Sequence, residues 1–244
     1  MKRALMLLVS CVMCNLATAQ NVPCYMPLSG LVAWYPFNGN ANDRSGNELN
    51  GIVNGCTLTT DRFGHKNRAY YFDGTGTYIN VPYLPLLDIP QATWNIWFKL
   101  VQPNNNAITG RFLWGCDPGI GKHITNYVYR DAVGYQVVYL DPRVTSLEAK
   151  QTLTDTSWHM FTTTYDALAG QMRIYQDGMY MGMQVFTRVK WLSGDLRFAL
   201  STDRYWQPFY GALDDASIHS RVLTAEEIYR LYRRARPSKR HRHR

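Results

Sequence analysis

The feature that most constrains this chain is how its apolar residues are cut into short runs. Stretches such as GLVAWYPF, ATWNIWFKL, HMFTTTYD and LRFALS are rich in β-branched and aromatic side chains and are bounded by Gly, Asn, Asp and Pro. Further runs of the same kind, RFLWGCD, ITNYVYR and GYQVVYLD, continue the pattern at intervals typical of a sandwich. No long segment of helical period lies between them, which argues against a parallel βαβ sheet. The runs RAYYFDG and TYINVP flank Gly74 to Gly76, which reads as a tight hairpin-like connection. Inside MRIYQDGMYMG the Asp177-Gly178 pair asks for a type I′ hairpin. The polar stretch NGNANDRSGNELNGIVNG is too rich in Asn and Gly to be regular and reads as a turn-dense loop.

One helix is well signalled, near residue 224. Thr224 followed by Glu227 forms a capping box, and Leu223, Ile228, Leu231 and Tyr232 make an apolar stripe for docking on a sheet. Arg230, Arg233 and Arg234 suit its negative end, so the element reads as a structural lid.

The ends of the chain differ from its body. Residues 1–19 carry Lys2 and Arg3, an apolar run from Ala4 to Met13 and the small-residue ending Ala17-Thr18-Ala19, which together read as a signal peptide with Gln20 as the first mature residue. That run is too short to span a bilayer. Leu8-Val9-Ser10-Cys11 also resembles a lipoprotein cleavage site, but the apolar run continues past it. Residues 20–29 form a lead-in, 30–232 the sandwich domain and 233–244 a basic tail without regular structure. The formal charge of +8 is concentrated in RLYRRARPSKRHRHR at the C-terminus, leaving the body slightly acidic. Such a tail contacts anionic polymers through counterion release or simply keeps the chain soluble, and it implies no nucleic-acid specificity. Cys24, Cys56 and Cys116 remain after the leader, in an oxidising compartment; a Cys24–Cys56 bridge around the first strand and three unbridged, buried thiols are the alternatives.

The segment GALDDASIHS poses a separate question. Strict alternation places Asp214 on one face with Ala212, Ala216 and Ile218, and Asp215 on the other with Leu213 and Ser217. An inward Asp214 needs hydrogen-bond donors or a cation, while Asp215 is expected to be solvated.

Taken in order, GLVAWYPFNGNANDRSGN, RAYYFDGTGTYINVP, TWNIWFKL, TSWHMFTTTYD, MRIYQDGMYMG and FYGALDDASIHSRVLTAEEIYRLY resemble the LamG-like jelly-roll domains of the concanavalin A-like lectin/glucanase superfamily. The resemblance implies an all-β fold, a two-sheet antiparallel jelly-roll sandwich with one short C-terminal helix. It implies Trp97 in the core strand and a structural role for His159 at a Trp158-His159 corner. It also implies a structural Ca²⁺ where the opening loop meets the last strand, held by Asp214 with Asp43 and Asn42. The alternative partners for those acids are backbone N–H groups.

The glucanases of this architecture use a Glu-x-Asp-x-x-Glu run, and none occurs here. Glu48, Glu148, Glu226 and Glu227 are the only glutamates, Asp214 and Asp215 are adjacent, and His123 and His159 lack a nucleophile context. A non-catalytic, exported recognition module is therefore expected, secreted or held at the cell surface or in the periplasm. Its expected ligand is a glycan or polysaccharide, bound by the exposed rings of Trp206, Tyr205, Trp114, Tyr127 and Tyr129. A protein-binding or adhesion module is the alternative, and a glycan-active enzyme comes third.

Overall fold

The computed structural model describes residues 22–101, 110–116, 124–129, 132–140, 143–148, 155–186, 194–202 and 207–235; within 124–148 it describes the backbone and the side chains of Asn126 and Leu147. Strands appear at each apolar run. They are β1 (Leu31–Tyr35), β2 (Ile52–Asn54), β3 (Thr57–Thr59), β4 (Ala69–Asp73), β5 (Tyr78–Val81), β6 (Gln91–Leu100), β7 (Arg111–Cys116) and β8 (Ile124–Tyr129). The second half adds β9 (Ala132–Leu140), β10 (Arg143–Glu148), β11 (Trp158–Asp166), β12 (Gln171–Gln176), β13 (Met179–Val185), β14 (Leu196–Phe198) and β15 (Tyr210–His219), followed by helix α1 (Ala225–Ala235). All pairings between named strands are antiparallel. One sheet runs β13-β12-β11-β6-β15-β4-β3 with β1 also on β15; the other runs β10-β9-β8-β7-β14-β5-β2. This is the expected two-sheet jelly-roll sandwich. No helix among the described residues is long and apolar enough to cross a membrane.

Between the sheets lies the main core, where alternate residues of facing strands meet. Trp94 and Trp114 pack with ring centroids 4.9 Å apart, and Trp114 stacks on Phe198 at 5.4 Å. A second, smaller core forms outside the β15 sheet. There Met26 of the lead-in and Leu223, Ile228, Leu231 and Ala235 cover Trp34, Trp97, Met160 and Tyr175. Trp97 is fully buried and stacks on Tyr232 at 5.7 Å. The capping box forms as its residues dictate: Glu227 N–H donates to Thr224 Oγ1 at 3.2 Å and Thr224 N–H to Glu227 Oε2 at 2.9 Å. Arg221 adds a two-pronged bond to Glu227, which draws that carboxyl down to about 2.

Two turns separate what sequence reads well from what it reads badly. Asp177 (φ 51°) and Gly178 (φ 78°) make the expected two-residue hairpin, pairing Gln176 with Met179. The Gly74 to Gly76 connection is not a hairpin. β4 pairs with β15 and β3 in one sheet, while β5 pairs with β14 and β2 in the other, so the chain changes sheets there. Asp73 Oδ1 accepts Thr75 N–H at 2.9 Å and the Thr77 hydroxyl at 3.1 Å, which sets the bend. The Asn-rich stretch is also less irregular than expected, since it contains β2.

Candidate ligand-binding site

Strand β15 is central to its sheet, and its two neighbours on one side share it. β4 pairs with Tyr210 to Leu213 and β1 with Ala216 to His219, leaving Asp214 and Asp215 at the gap between them. The register against β6 slips at the same place, and Asp215 has φ 44°, the signature of a β-bulge. The extra residue breaks the alternation. Leu213, Ala216 and Ile218 face the main core, while both aspartates face the lead-in and the helix.

Both acids are buried, Asp214 at 1% and Asp215 at 3% exposure, so the expectation of a solvated Asp215 is corrected. Their common partner is Arg62, from the loop between β3 and β4. Its Nη1 donates to Asp214 Oδ2 and its Nη2 to Asp215 Oδ2, each at 2.5 Å, and its Nε donates to the Ala235 carbonyl at 2.7 Å. Asp215 also accepts the Trp34 indole N–H at 2.6 Å and the Tyr25 hydroxyl at 3.0 Å. The guanidinium carbon sits 4.5 Å from the Phe63 ring centroid and 5.2 Å from that of Trp97. Burial works against the Arg62 charge, but the two aspartates outweigh it and hold the group cationic. Burial likewise pushes the Asp214 carboxyl well above the usual carboxylate range, against the pull of Arg62. Over this cluster opens a cavity of about 310 Å³, with Trp34, Arg62, Asp214 and Asp215 lining it and Asn38, Phe63, His65 and Arg68 among its more exposed residues.

Asp43 is engaged elsewhere. Its Oδ1 accepts the N–H groups of Trp34 (2.9 Å) and Ser45 (2.8 Å), and its Oδ2 accepts the Ser45 hydroxyl (2.7 Å) and Leu49 N–H (3.2 Å). Asn42 is exposed, its own N–H donating to Asn40. Asp214 and Asp43 thus have protein partners, and no group of three or more His, Cys, Asp or Glu suited to a metal occurs among the described residues.

The other sheet presents a different surface. Along β5, Ile79 and Val81 enter the core while Tyr78 and Asn80 face out; along β14, Leu196 and Phe198 enter and Arg197 faces out. Arg197 stands opposite Asn80 and donates from Nε to its Oδ1 at 3.1 Å, and Asn80 Nδ2 donates to Asp195 Oδ2 at 3.0 Å. The Arg197 guanidinium lies 5.1 Å from the Tyr78 ring centroid. These half-buried groups form a fixed polar and aromatic row that aromatic counting alone passes over. Its signal is the alternation within TYINVP and DLRFAL.

Of the expected ring platform, Trp114 is fully buried against Trp94 and Phe198 and is corrected to a core residue. Tyr205 and Trp206 lie outside the described residues, as do the side chains of Tyr127 and Tyr129. The backbone places Tyr127 opposite Tyr135, and Gln207, next after Trp206, bridges to Arg111. Cys24 is exposed, Cys56 and Cys116 are buried, and all three are free thiols, so the Cys24–Cys56 bridge is absent. Burial pushes the Cys56 thiol up to about 11, as expected for an inert core residue. His159 is structural in geometry, its ring nitrogens 2.8 Å from Asp177 and 3.1 Å from Asp155. The leader and residues 236–244 lie outside the described residues.

Two antiparallel sheets packed face to face, with one outer face closed by a terminal helix, define a jelly-roll sandwich. The chain belongs to the concanavalin A-like lectin/glucanases superfamily, whose laminin G type family model matches residues 73–229. No curated protein matches its sequence. Among solved structures it is similar to domain 4 of AbnA, an extracellular GH43 arabinanase of Geobacillus stearothermophilus in complex with arabinotriose. That likeness has a TM-score of 0.66 at 18% identity and covers 84% of this chain and 98% of that one. It is also similar to the binding domain of Paraclostridial Mosquitocidal Protein 1 (TM-score 0.69, 16% identity, 83% of this chain, 52% of that one). A third is the binding domain of botulinum neurotoxin DC in complex with SialylT (0.67, 12%, 85% and 52%). The chain spans about half the length of these two toxin binding domains.

Proposed function

We propose that this protein is an exported, non-catalytic recognition module that binds a glycan on the outer face of the β5–β14 sheet. The observation that carries the reading is the Tyr78–Arg197–Asn80–Asp195 row, polar groups held in place beside an aromatic ring. Sugars are recognised by such pairings, the ring covering an apolar sugar face and the amides and charges taking hydroxyls. The opposite outer face carries the one α-helix of the described residues and the lead-in, which leaves the row as the more open sheet surface. Tyr205, Trp206, Tyr127 and Tyr129 belong to the same proposal as further rings. The similarity to an arabinanase domain solved with arabinotriose and to a toxin binding domain solved with SialylT supports a binding module of this kind.

The acids support the non-catalytic reading. A glycosidase needs one carboxyl to protonate the leaving oxygen and another to attack or activate water across the bond. Asp214 and Asp215 share one arginine, Glu226 pairs with Arg230, Glu227 caps the helix, and Glu48 sits in an exposed turn. The test is retardation in polysaccharide gels and a glycan array, comparing wild type with Arg197→Ala and Asn80→Ala. Loss of retention in the folded variants is expected. A folded wild type that no polysaccharide retards, but that captures a cell-surface protein, replaces this reading with adhesion.

A further inference from the structure

The cavity above Arg62 has an unbalanced floor. One guanidinium serves two carboxylates whose side chains are 2% and 5% exposed, so with both ionised the cluster carries one uncompensated negative charge, and burial raises the Asp214 carboxyl well above its usual range. The two acids are unequally served. Asp215 has three donors in Arg62, Trp34 and Tyr25, whereas Asp214 has Arg62 on Oδ2 and, among the described residues, no donor on Oδ1. Asp214 lines the cavity, so its Oδ1 is open there to a donor brought by a ligand. Other charges near the mouth do not meet this need. His65 Nδ1 already faces Asp61 at 3.1 Å, and Arg68 is exposed, where solvent screens it.

We propose that this cavity binds a primary ammonium group carried by a small ligand, the ammonium donating a hydrogen bond to Asp214 Oδ1 with the exposed Phe63 ring as one wall. An ammonium supplies both the missing donor and the missing charge, and charge-assisted bonds of this kind are the strong ones. The volume of about 310 Å³ holds one sugar ring or a short alkyl chain, not a polymer. The ammonium can therefore arrive on an amino sugar or on a simple alkylamine. This site is on the opposite side of the molecule's sandwich from the Tyr78–Arg197 row and does not depend on it.

The experiment is titration of the full chain by calorimetry or ligand-observed NMR with glucosamine, methylamine, glucose, N-acetylglucosamine and tetramethylammonium. Glucosamine and methylamine are expected to bind about tenfold or more tightly than the three ligands that lack an N–H⁺ donor. Glucosamine binding more tightly than methylamine identifies the amino sugar as the source; equal binding identifies the bare amine. Glucose binding as well as glucosamine, tetramethylammonium binding as well as methylamine, or no binding of either amine at millimolar concentration overturns the proposal. Asp214→Asn is expected to abolish the preference for amines if it folds. Phe63→Ala, at an exposed position, keeps the fold and is expected to weaken glucosamine severalfold; undiminished binding by that folded variant also overturns it.

Discussion

Replacing Arg62 with methionine keeps most of its bulk and removes its charge, and the structure sets the size of the consequence. Removing one partner of a buried ion pair costs about 3–5 kcal/mol, because the other charge is left buried. Here two carboxylates are stranded, and the Ala235 carbonyl loses its donor, worth about 1 kcal/mol more. A loss of about 5 kcal/mol follows, a third or more of what a domain of this size commonly has. At roughly 2–4 °C per kcal/mol the melting temperature falls by about 10–20 °C. The loss depends on pH. Burial already holds the Asp214 carboxyl above its unfolded value against the pull of Arg62, and without the guanidinium that opposition is gone, so the folded state binds the proton more tightly. The deficit is therefore smallest in acid and grows as pH rises toward neutrality. Urea unfolding at pH 4 and 7, followed by circular dichroism, measures both quantities. Adding Asp214→Asn and Asp215→Asn to Arg62→Met is expected to recover a large part of the loss at pH 7. A deficit below about 1 kcal/mol, the value of an exposed pair, or one equal at both pH values, would refute the reasoning.

His219 is buried with its Nε2–H donating to the Pro27 carbonyl at 3.0 Å, and burial depresses its pKa to about 4. Its neutral form supports the fold fully above pH 6.5, and about 3 kcal/mol of stability is lost as pH falls to 4; His219→Gln should flatten that part of the urea-unfolding profile. His159 has the opposite sign: burial opposes its charge, but Asp177 and Asp155 raise its pKa, so its contribution fades as pH rises through that value and His159→Ala matters most in mild acid. Trp97→Ala, which empties the site stacked on Tyr232, should cost about 3–5 kcal/mol in thermal or urea unfolding. Asp43→Ala should cost about 2–3 kcal/mol by stranding three N–H groups and a hydroxyl, and because those donors occupy its oxygens, a chelator should leave the wild-type melting temperature unchanged.

Local signals were legible wherever the physics is local. The Thr224–Glu227 box and the Asp177-Gly178 turn depend on neighbours in sequence, and both formed as read. Asp214 and Asp215 failed for a definite reason: alternation holds only while no residue is inserted, and the bulge puts two consecutive side chains on one side. Their arginine is 152 positions away from Asp214 in DRFGHKN, a loop with no periodicity to announce a partner. Gly74 and Gly76 were ambiguous in kind, since glycine permits a hairpin and a change of sheet equally. Trp114 illustrates the limit of counting rings, because an aromatic residue in a strand looks the same whether it faces sugar or core. The outward Tyr78, Asn80 and Arg197 were readable from alternation with Ile79, Val81, Leu196 and Phe198, had polar positions been weighed alongside aromatic ones.

The position of β15 has a consequence for the order in which the molecule is completed. It is the last strand among the described residues, yet β1, β4 and β6 all pair with it, and it brings the two acids that Arg62 requires. A nascent chain lacking this segment holds β6 and β4 as open edges and Arg62 without its counterions. Such a chain is not a smaller sandwich but two halves waiting for their keystone, with unpaired strands exposed to other copies. Synthesis from the N-terminus thus postpones closure of this sheet until β15 has emerged, and termination anywhere before Tyr210 is expected to yield an aggregation-prone fragment instead of a weakened domain.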